Sequence, residues 1–479
     1  MRLSEYFKLN KTQFELDFID IPLNTDIPLF VDPYAISTRI DLFSMECAQI
    51  IINFFQSVID DIKNNNDNNA KYKLNYLNEL NDTHLGLSHN KPRGKGVSGE
   101  QSIELFEALK KSKAAISGLL NDLSDCELLI PGISRDKISD ITTNIIKTKL
   151  IEYTQQQCIT YNIQTYKVSS GKLWNPVDGK WESGRYVDLP IYKNTRIILI
   201  PKVLVRYSLV YNHKKYYNNF VLEYLQEENI STNTSLVRLL KNGKSVVYKK
   251  DLKADDRYKL TKEFLFNFSL EHPDILENYT KSLPNNLPPL SNEDIEKKQT
   301  ESKSFDYDSL INKLKSISPG TKTATEYHNL MVGILEIIFY PNLIIPIKQE
   351  FIHNGRKIID ITYTNAAKNG FFEYLAKHIA CLFVICECKN YKDDPTNPEL
   401  DQLSGRFSPN RGKFGILLCR TIENKDLFFK RCQDTANDDR GFIIPLDDDD
   451  IIKLLEYRSI NDIIAIDDFF TLKYKKLVM

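Results

Sequence analysis

The sequence lacks an excess of charge of either sign: its 479 residues hold 63 Lys and Arg against 64 Asp and Glu. No global positive field therefore draws the chain onto nucleic acid or an anionic membrane, and any nucleic-acid contact has to be local. It also lacks Cys-x-x-Cys pairs. The eight cysteines, at 47, 126, 158, 381, 386, 388, 419 and 432, are scattered, so neither a zinc knuckle nor a disulfide framework is indicated and reduced core thiols are expected. The opening MRLSEYFKLNKTQFELDF has no apolar h-region, and no apolar run is read as approaching the ~18–20 residues of a membrane span. A cytoplasmic protein without a membrane partner is expected. The spacing G-x-x-x-x-G-K-[ST] is missing, so ATP hydrolysis is not supported, and no repeat occurs at solenoid or propeller periods.

What is present is ordinary for a folded chain, with 42% hydrophobic and 27% charged residues. At roughly 100–200 residues per domain, the length predicts two to four domains. Residues 281–306, KSLPNNLPPLSNEDIEKKQTESKSFD, replace apolar pattern with proline, Asn, Ser and charge, and read as a linker. Before it, residues 1–280 read as a mixed α+β targeting or sensing region, with a break between two subdomains placed near 160–185. Helices are predicted over 46–62, over 98–113 with Ser98 as N-cap and Gln101 closing a capping box, and over 136–157. The β-branched stretch within 186–209 predicts strands. His84, His89, Lys91, Arg93 and Lys95 cluster among glycines before the Ser98 helix; a connector fits them better than an anion site. Bases and aromatics interleave in YNHKKYYNNF (211–220), as on a single-strand-binding surface, although such a pattern is more often a strand edge and helix start.

Beyond the linker, residues 307–479 read as one α/β domain with a central sheet flanked by helices. Helix is predicted over 321–339, strand over 343–351, a turn at HNGR, strand over 357–364, and a short helix over 371–380. Then come strand 382–389, helix 398–407, strand 414–420 and a helix over 448–457. The acidic run 447–450 suits a helix start, where acids meet the positive end of the dipole, better than a metal site.

Two of these strands carry acids between apolar runs: Asp360 in KIIDITYT, and Glu387 in ICECK, two residues before Lys389. Period two places Glu387 and Lys389 on one strand face. Buried carboxylates are costly unless they bind a cation or pair with a base. Two of them converging from neighbouring strands suit Mg²⁺, and a lysine beside them suits phosphodiester hydrolysis. Cys386 and Cys388 point to the opposite sheet face, as packed thiols. His328 and His378 fall in helices and read as packed or exposed residues.

Asp360 followed by Glu387-Cys388-Lys389 resembles the signature of the PD-(D/E)XK nuclease superfamily, the restriction-endonuclease-like fold, and the element order is similar to that of its Mrr-like members. The resemblance spans about 321–455. It implies that Asp360, Glu387 and the Cys388 carbonyl bind Mg²⁺, with Mn²⁺ able to substitute, and that Lys389 positions water. It further implies that Glu326, on the helix before the first strand, and Gln402, on the helix after the Glu-x-Lys strand, support the site. Ile359 stands where many members have proline, and a helix fills the gap between Asp360 and Glu387.

Arg406, Arg411 and Lys413 follow Gln402 in GRFSPNRGKFG and, with Asn390, Tyr391 and Lys392, are candidates for gripping a phosphate backbone. A nuclease joined to a large unrelated region, without methyltransferase or helicase motifs, resembles antiviral defence effectors acting on double-stranded DNA. A restriction endonuclease reading a short sequence, and a non-catalytic nucleic-acid-binding or assembly protein on a degenerate nuclease fold, are the competing readings. A homo-oligomer is left open.

Overall fold

The helix read over 46–62 is longer in the computed structural model, which describes residues 1–77, 80–86, 100–111, 123–130, 133–284, 287–297, 305–352 and 354–479. It is α1 (Leu42–Lys63), and its N-cap Asp41 accepts from the Ser44 amide, satisfying one of the donors every helix start leaves orphaned. Cys47, Ile51, Phe54, Val58 and Ile62 recur at helical spacing and are buried. By length and composition its 22 residues suffice to cross a membrane. This corrects the expectation that no apolar run approaches a span: before Asp60, Glu46 is the single charged residue of α1.

The period read over 136–157 belongs to two helices, α2 (Arg135–Ile145) and α3 (Lys147–Tyr161), divided at Ile146, whose φ of −89° and ψ of 9° leave the helical region. The Ser98 cap, with His89, Lys91, Arg93 and Lys95, lies outside the described residues; the helix after it is described over Glu100–Lys111.

The β-branched stretch 186–209 forms only short strands, Tyr186–Leu189, Ile191–Tyr192, Thr195–Arg196 and Val205–Arg206. Ile197 to Ile200 cross the core outside these ladders. Ile198 N donates to Asp82 O, Leu199 N to Thr154 Oγ1, and Ile200 O accepts from Ile19 N. An unbroken apolar run fits a buried strand and a buried irregular chain equally, so periodicity does not separate them. The aromatics of 211–220 turn inward: the segment is helical over His213–Tyr216 and Tyr217–Val221, with Tyr216 and Tyr217 buried.

The second half is built on one five-stranded sheet. α4 (Ala324–Phe339) leads into β1 (Leu343–Ile352) and β2 (Lys357–Asn365); α5 (Gly370–His378) precedes β3 (Phe383–Lys389). α6 (Asn397–Ser404) leads to β4 (Phe414–Cys419), α7 (Lys425–Asn437) to β5 (Phe442–Leu446), and α8 (Asp448–Ser459) and α9 (Ile463–Val478) close the chain. The strands lie in chain order, antiparallel through β3 and parallel from β3 to β5. Parallel neighbours need a crossover, which α6 and α7 supply. Asp447 caps α8 by accepting from Asp450 N, so the acidic run does start a helix. α7, β5 and α9 were not predicted.

The segment 281–306 is docked where it is described. It carries a helix, Asn292–Lys297, with Ile295 fully buried. Asn292 Oδ1 accepts from Lys202 Nζ at 2.8 Å, Leu290 O accepts from Tyr340 OH at 2.9 Å, and Glu296 pairs with Arg2 at 3.1 Å. The two halves also share cores. Tyr340, Ile344, Ile345 and Ala366 pack into the apolar core of the first half, and Phe14 packs into that of the second.

Candidate active site

Strand pairing decides whether the carboxylates meet. Ile361 lies opposite Cys386, so Asp360 and Glu387, one step along each strand, face the other side of the sheet together. The Ile361 and Tyr363 face packs on α4, where Tyr363 OH donates to Val332 O. The Asp360 and Glu387 face meets α6, whose start is set by Thr396 and Glu399 in a capping box and by Pro398 in the first turn.

Glu387 is 1% exposed. Its Oε1 accepts from Lys389 Nζ at 2.9 Å and from Gln402 Nε2, while Lys389 Nζ also donates to Gln402 Oε1 at 3.0 Å. Asp360 Oδ2 accepts from the Cys388 amide at 2.9 Å. Burial pushes the Glu387 carboxyl above its ordinary value, the Asp360 charge adds to this, and Lys389 opposes it. For Lys389 burial works against the charge, but the Glu387 carboxylate outweighs it and the ammonium ends above its usual value.

One atom of this network is left over. Glu387 Oε2 is buried and has no hydrogen-bond partner, a state that costs free energy unless a cation or water satisfies it. Among the described residues no group of three or more His, Cys, Asp or Glu side chains is placed to hold a metal. The side-chain donors here are two carboxylates, which together with a main-chain carbonyl and waters are a set Mg²⁺ accepts.

Gln402 joins the site as expected, and Glu326 does not: it is exposed on α4 and makes no described contact with Asp360 or Glu387. Two residues along a helix turn the side chain by about 200°, and it is His328 that α4 brings to Asp360, hydrogen-bonded to the Asp360 main chain. Burial lowers the His328 pKa, Asp360 opposing, and its Nε2 is buried without a partner. From sequence His328 reads as a packed or exposed helix residue; the helical offset says that Glu326 and His328 face different ways but not which of them meets the sheet.

The basic candidates separate. Arg406 donates from Nε to Ile358 O, and its charge reaches Glu387. Arg411 donates from Nε and Nη2 to Arg406 O, and its own carbonyl accepts from Phe383 N. Lys413 pairs with Asp439 at 2.9 Å. Because Ile385 lies beside Gly415 and Lys389 beside Cys419, Arg411 and Lys413 sit at the end of the sheet remote from Lys389. Lys392 is exposed just beyond β3. Asn390 is a structural residue, donating from Nδ2 to Gly320 O at 2.7 Å and Thr323 Oγ1 at 3.0 Å, which ties the end of β3 to the segment before α4. All eight cysteines are free, and Cys386 is fully buried, as a packed thiol should be.

In comparison with known proteins, residues 8–212 fit a family model described as Domain of unknown function (DUF8370). No curated protein and no solved structure matches the chain.

Proposed function

We propose that the protein is a Mg²⁺-dependent nuclease that hydrolyses phosphodiester bonds, with double-stranded DNA as the substrate favoured. One observation carries this reading: a buried Glu387 with one unsatisfied oxygen, beside Asp360 on the neighbouring strand and bonded to Lys389 and Gln402. A surface ion pair needs neither the burial nor the second carboxylate. Mg²⁺, when bound by Asp360, Glu387 and the Cys388 carbonyl, would supply charge for the phosphoryl oxygens. Lys389 is then the ammonium placed to orient water, and Gln402 holds both Lys389 and Glu387 in register through its two amide ends. Arg406 is the candidate phosphate contact beside this group. The sheet order and the position of the acids support the restriction-endonuclease-like assignment, and a defence role against foreign DNA rests on that likeness.

Incubating the purified chain with linear, circular and single-stranded DNA and with RNA, in Mg²⁺ or EDTA, tests it. Metal-dependent cleavage of DNA that is lost in Asp360→Asn supports the reading. Cleavage of none of these, or cleavage that persists in Asp360→Asn, removes it.

A further inference from the structure

Where the two halves meet they leave a cavity of about 1300 Å³, above the roughly 300–1,000 Å³ of most small-molecule sites. Phe14 and Arg39 line it from the first half, and the segment 287–297 contributes one wall. The second half supplies the end of α4, the start of α5 and the α8–α9 junction. Glu293, Asn369 and Ser459 on the lining are exposed, so the cavity opens to solvent.

Its charged groups are not equally free. Among the acids, Glu296 pairs with Arg2 at 3.1 Å and Asp467 accepts from the Phe371 amide at the start of α5. Arg458 is spent on the end of α4, donating from Nε to Ile337 O at 3.0 Å and from Nη2 to Tyr340 O at 3.3 Å. Lys297 lies 3.6 Å from Asp294. Arg39 differs. Only 7% exposed, it is anchored through Nε, to Asp41 at 2.7 Å and to Ser44 Oγ at 3.1 Å, while Nη1 and Nη2 make no hydrogen bond among the described residues. Lys368, half-buried, donates from Nζ to Thr38 O at 2.8 Å and pairs with no carboxylate among the described residues. Burial lowers the Lys368 pKa, the Arg39 and Arg206 charges add to this, and Asp41 opposes it, so cations outnumber acids around this ammonium.

We propose that this cavity binds a nucleotide, its phosphate held by Arg39 and Lys368 and its base and sugar by the aromatic wall. A guanidinium with both terminal nitrogens open and an ammonium on another segment suit an anion whose oxygens leave one plane, as those of phosphate do. The wall supplies flat rings: Phe305 and Tyr307, both half-buried, lie edge to face at 4.8 Å, and Phe14 stacks on Phe305 at 4.8 Å. Bases stack on such rings. Glu293, without an ion pair among the described residues, and Asn342 offer polar atoms to sugar hydroxyls, which an acyl chain would leave unserved. Because both halves line the cavity, the ligand bridges them. The site uses none of Asp360, Glu387 or Lys389 and is independent of the nuclease reading.

Calorimetric titration of the full chain with adenosine monophosphate, adenosine, inorganic phosphate and octyl phosphate, in EDTA to silence any metal-dependent site, tests the proposal. Adenosine monophosphate should bind saturably with Kd below ~1 mM and raise the unfolding temperature. Adenosine and inorganic phosphate should each bind at least ~10-fold more weakly, since each lacks one set of contacts. Lys368→Gln should weaken the nucleotide and leave adenosine unchanged, a split that a merely structural change would not give. Arg39→Lys keeps the charge, loses the fork and should also weaken the nucleotide. No saturable binding of adenosine monophosphate, adenosine or phosphate binding as tightly as the nucleotide, or octyl phosphate binding more tightly, overturns the assignment. So does undiminished nucleotide binding in Lys368→Gln or, should that variant not fold, in Arg39→Lys.

Discussion

Lys202 and Glu336 meet at 3.1 Å with both side chains 0% exposed, one from each half of the chain. Lys202 Nζ also lies 4.0 Å from the centre of the Tyr340 ring and donates to Asn292 Oδ1. Asp17 extends the cluster, accepting from Tyr153 OH at 2.7 Å and from the Ile345 amide at 3.1 Å. Burial raises Glu336 to about 8, with Lys202 opposing and Asp17 adding, and lowers Lys202. Since the raised value lies above the ordinary 4.5, between the two the folded state holds a proton that the unfolded state has released, and stability falls as pH rises through that window. Glu336→Gln mimics the protonated side chain. Its unfolding temperature should match the wild type near pH 5 and gain on it steadily toward pH 8; a difference independent of pH refutes the assignment.

The same cluster bears on separating the halves. A chain cut within 281–306 and split would expose Tyr340, Ile344 and Ile345 and leave Glu336 without Lys202. Residues 307–479 expressed alone should therefore be insoluble or melt well below the full chain, and co-expressed halves should copurify. Light scattering and thermal melting of the fragment decide; a monodisperse fragment as stable as the whole chain refutes this.

At the carboxylates, Asp360→Asn and Glu387→Gln should each abolish Mg²⁺-dependent cleavage with little change in folding, and EDTA should have the same effect on the wild type. Glu387→Gln should also lose any rise in unfolding temperature that Mg²⁺ gives the wild type. Full activity in either variant would sink the site.

Lys389→Ala should lower turnover by at least ~100-fold with binding largely retained. Cys388→Ser should be mild, because its amide and carbonyl, and not its thiol, are placed to act. The opposite ranking in single-turnover kinetics would reverse these roles.

Arg406→Ala should weaken DNA binding and flatten its salt dependence, whereas Lys413→Ala, paired with Asp439 at the remote end of the sheet, should leave both unchanged. Asn390→Ala should destabilise the chain by about 1 kcal/mol through loss of the part-buried bond to the Gly320 carbonyl. Gel shifts across a salt series and denaturant unfolding check the two statements.

Reading the chain alone determined the order of helices and strands over 321–419 and 448–457, and the pairing of Asp360 with Glu387 and Lys389, because those elements alternate cleanly between periods of two and 3.6. It also located Gln402. Single-element patterns stopped there. Nothing local distinguishes Glu326 from His328 as the residue turned toward the sheet, since that depends on how α4 is rotated against β1 and β2. Arg411 and Lys413 follow Gln402 closely in sequence, yet the chain has crossed to the other end of the sheet before β4 begins. The proline-rich stretch 281–306 has a linker's composition, but its docking depends on Lys202 and Tyr340, each some 50 to 90 positions away. Tertiary structure alone decided these points, because each is a contact between segments whose own patterns are equally satisfied without it.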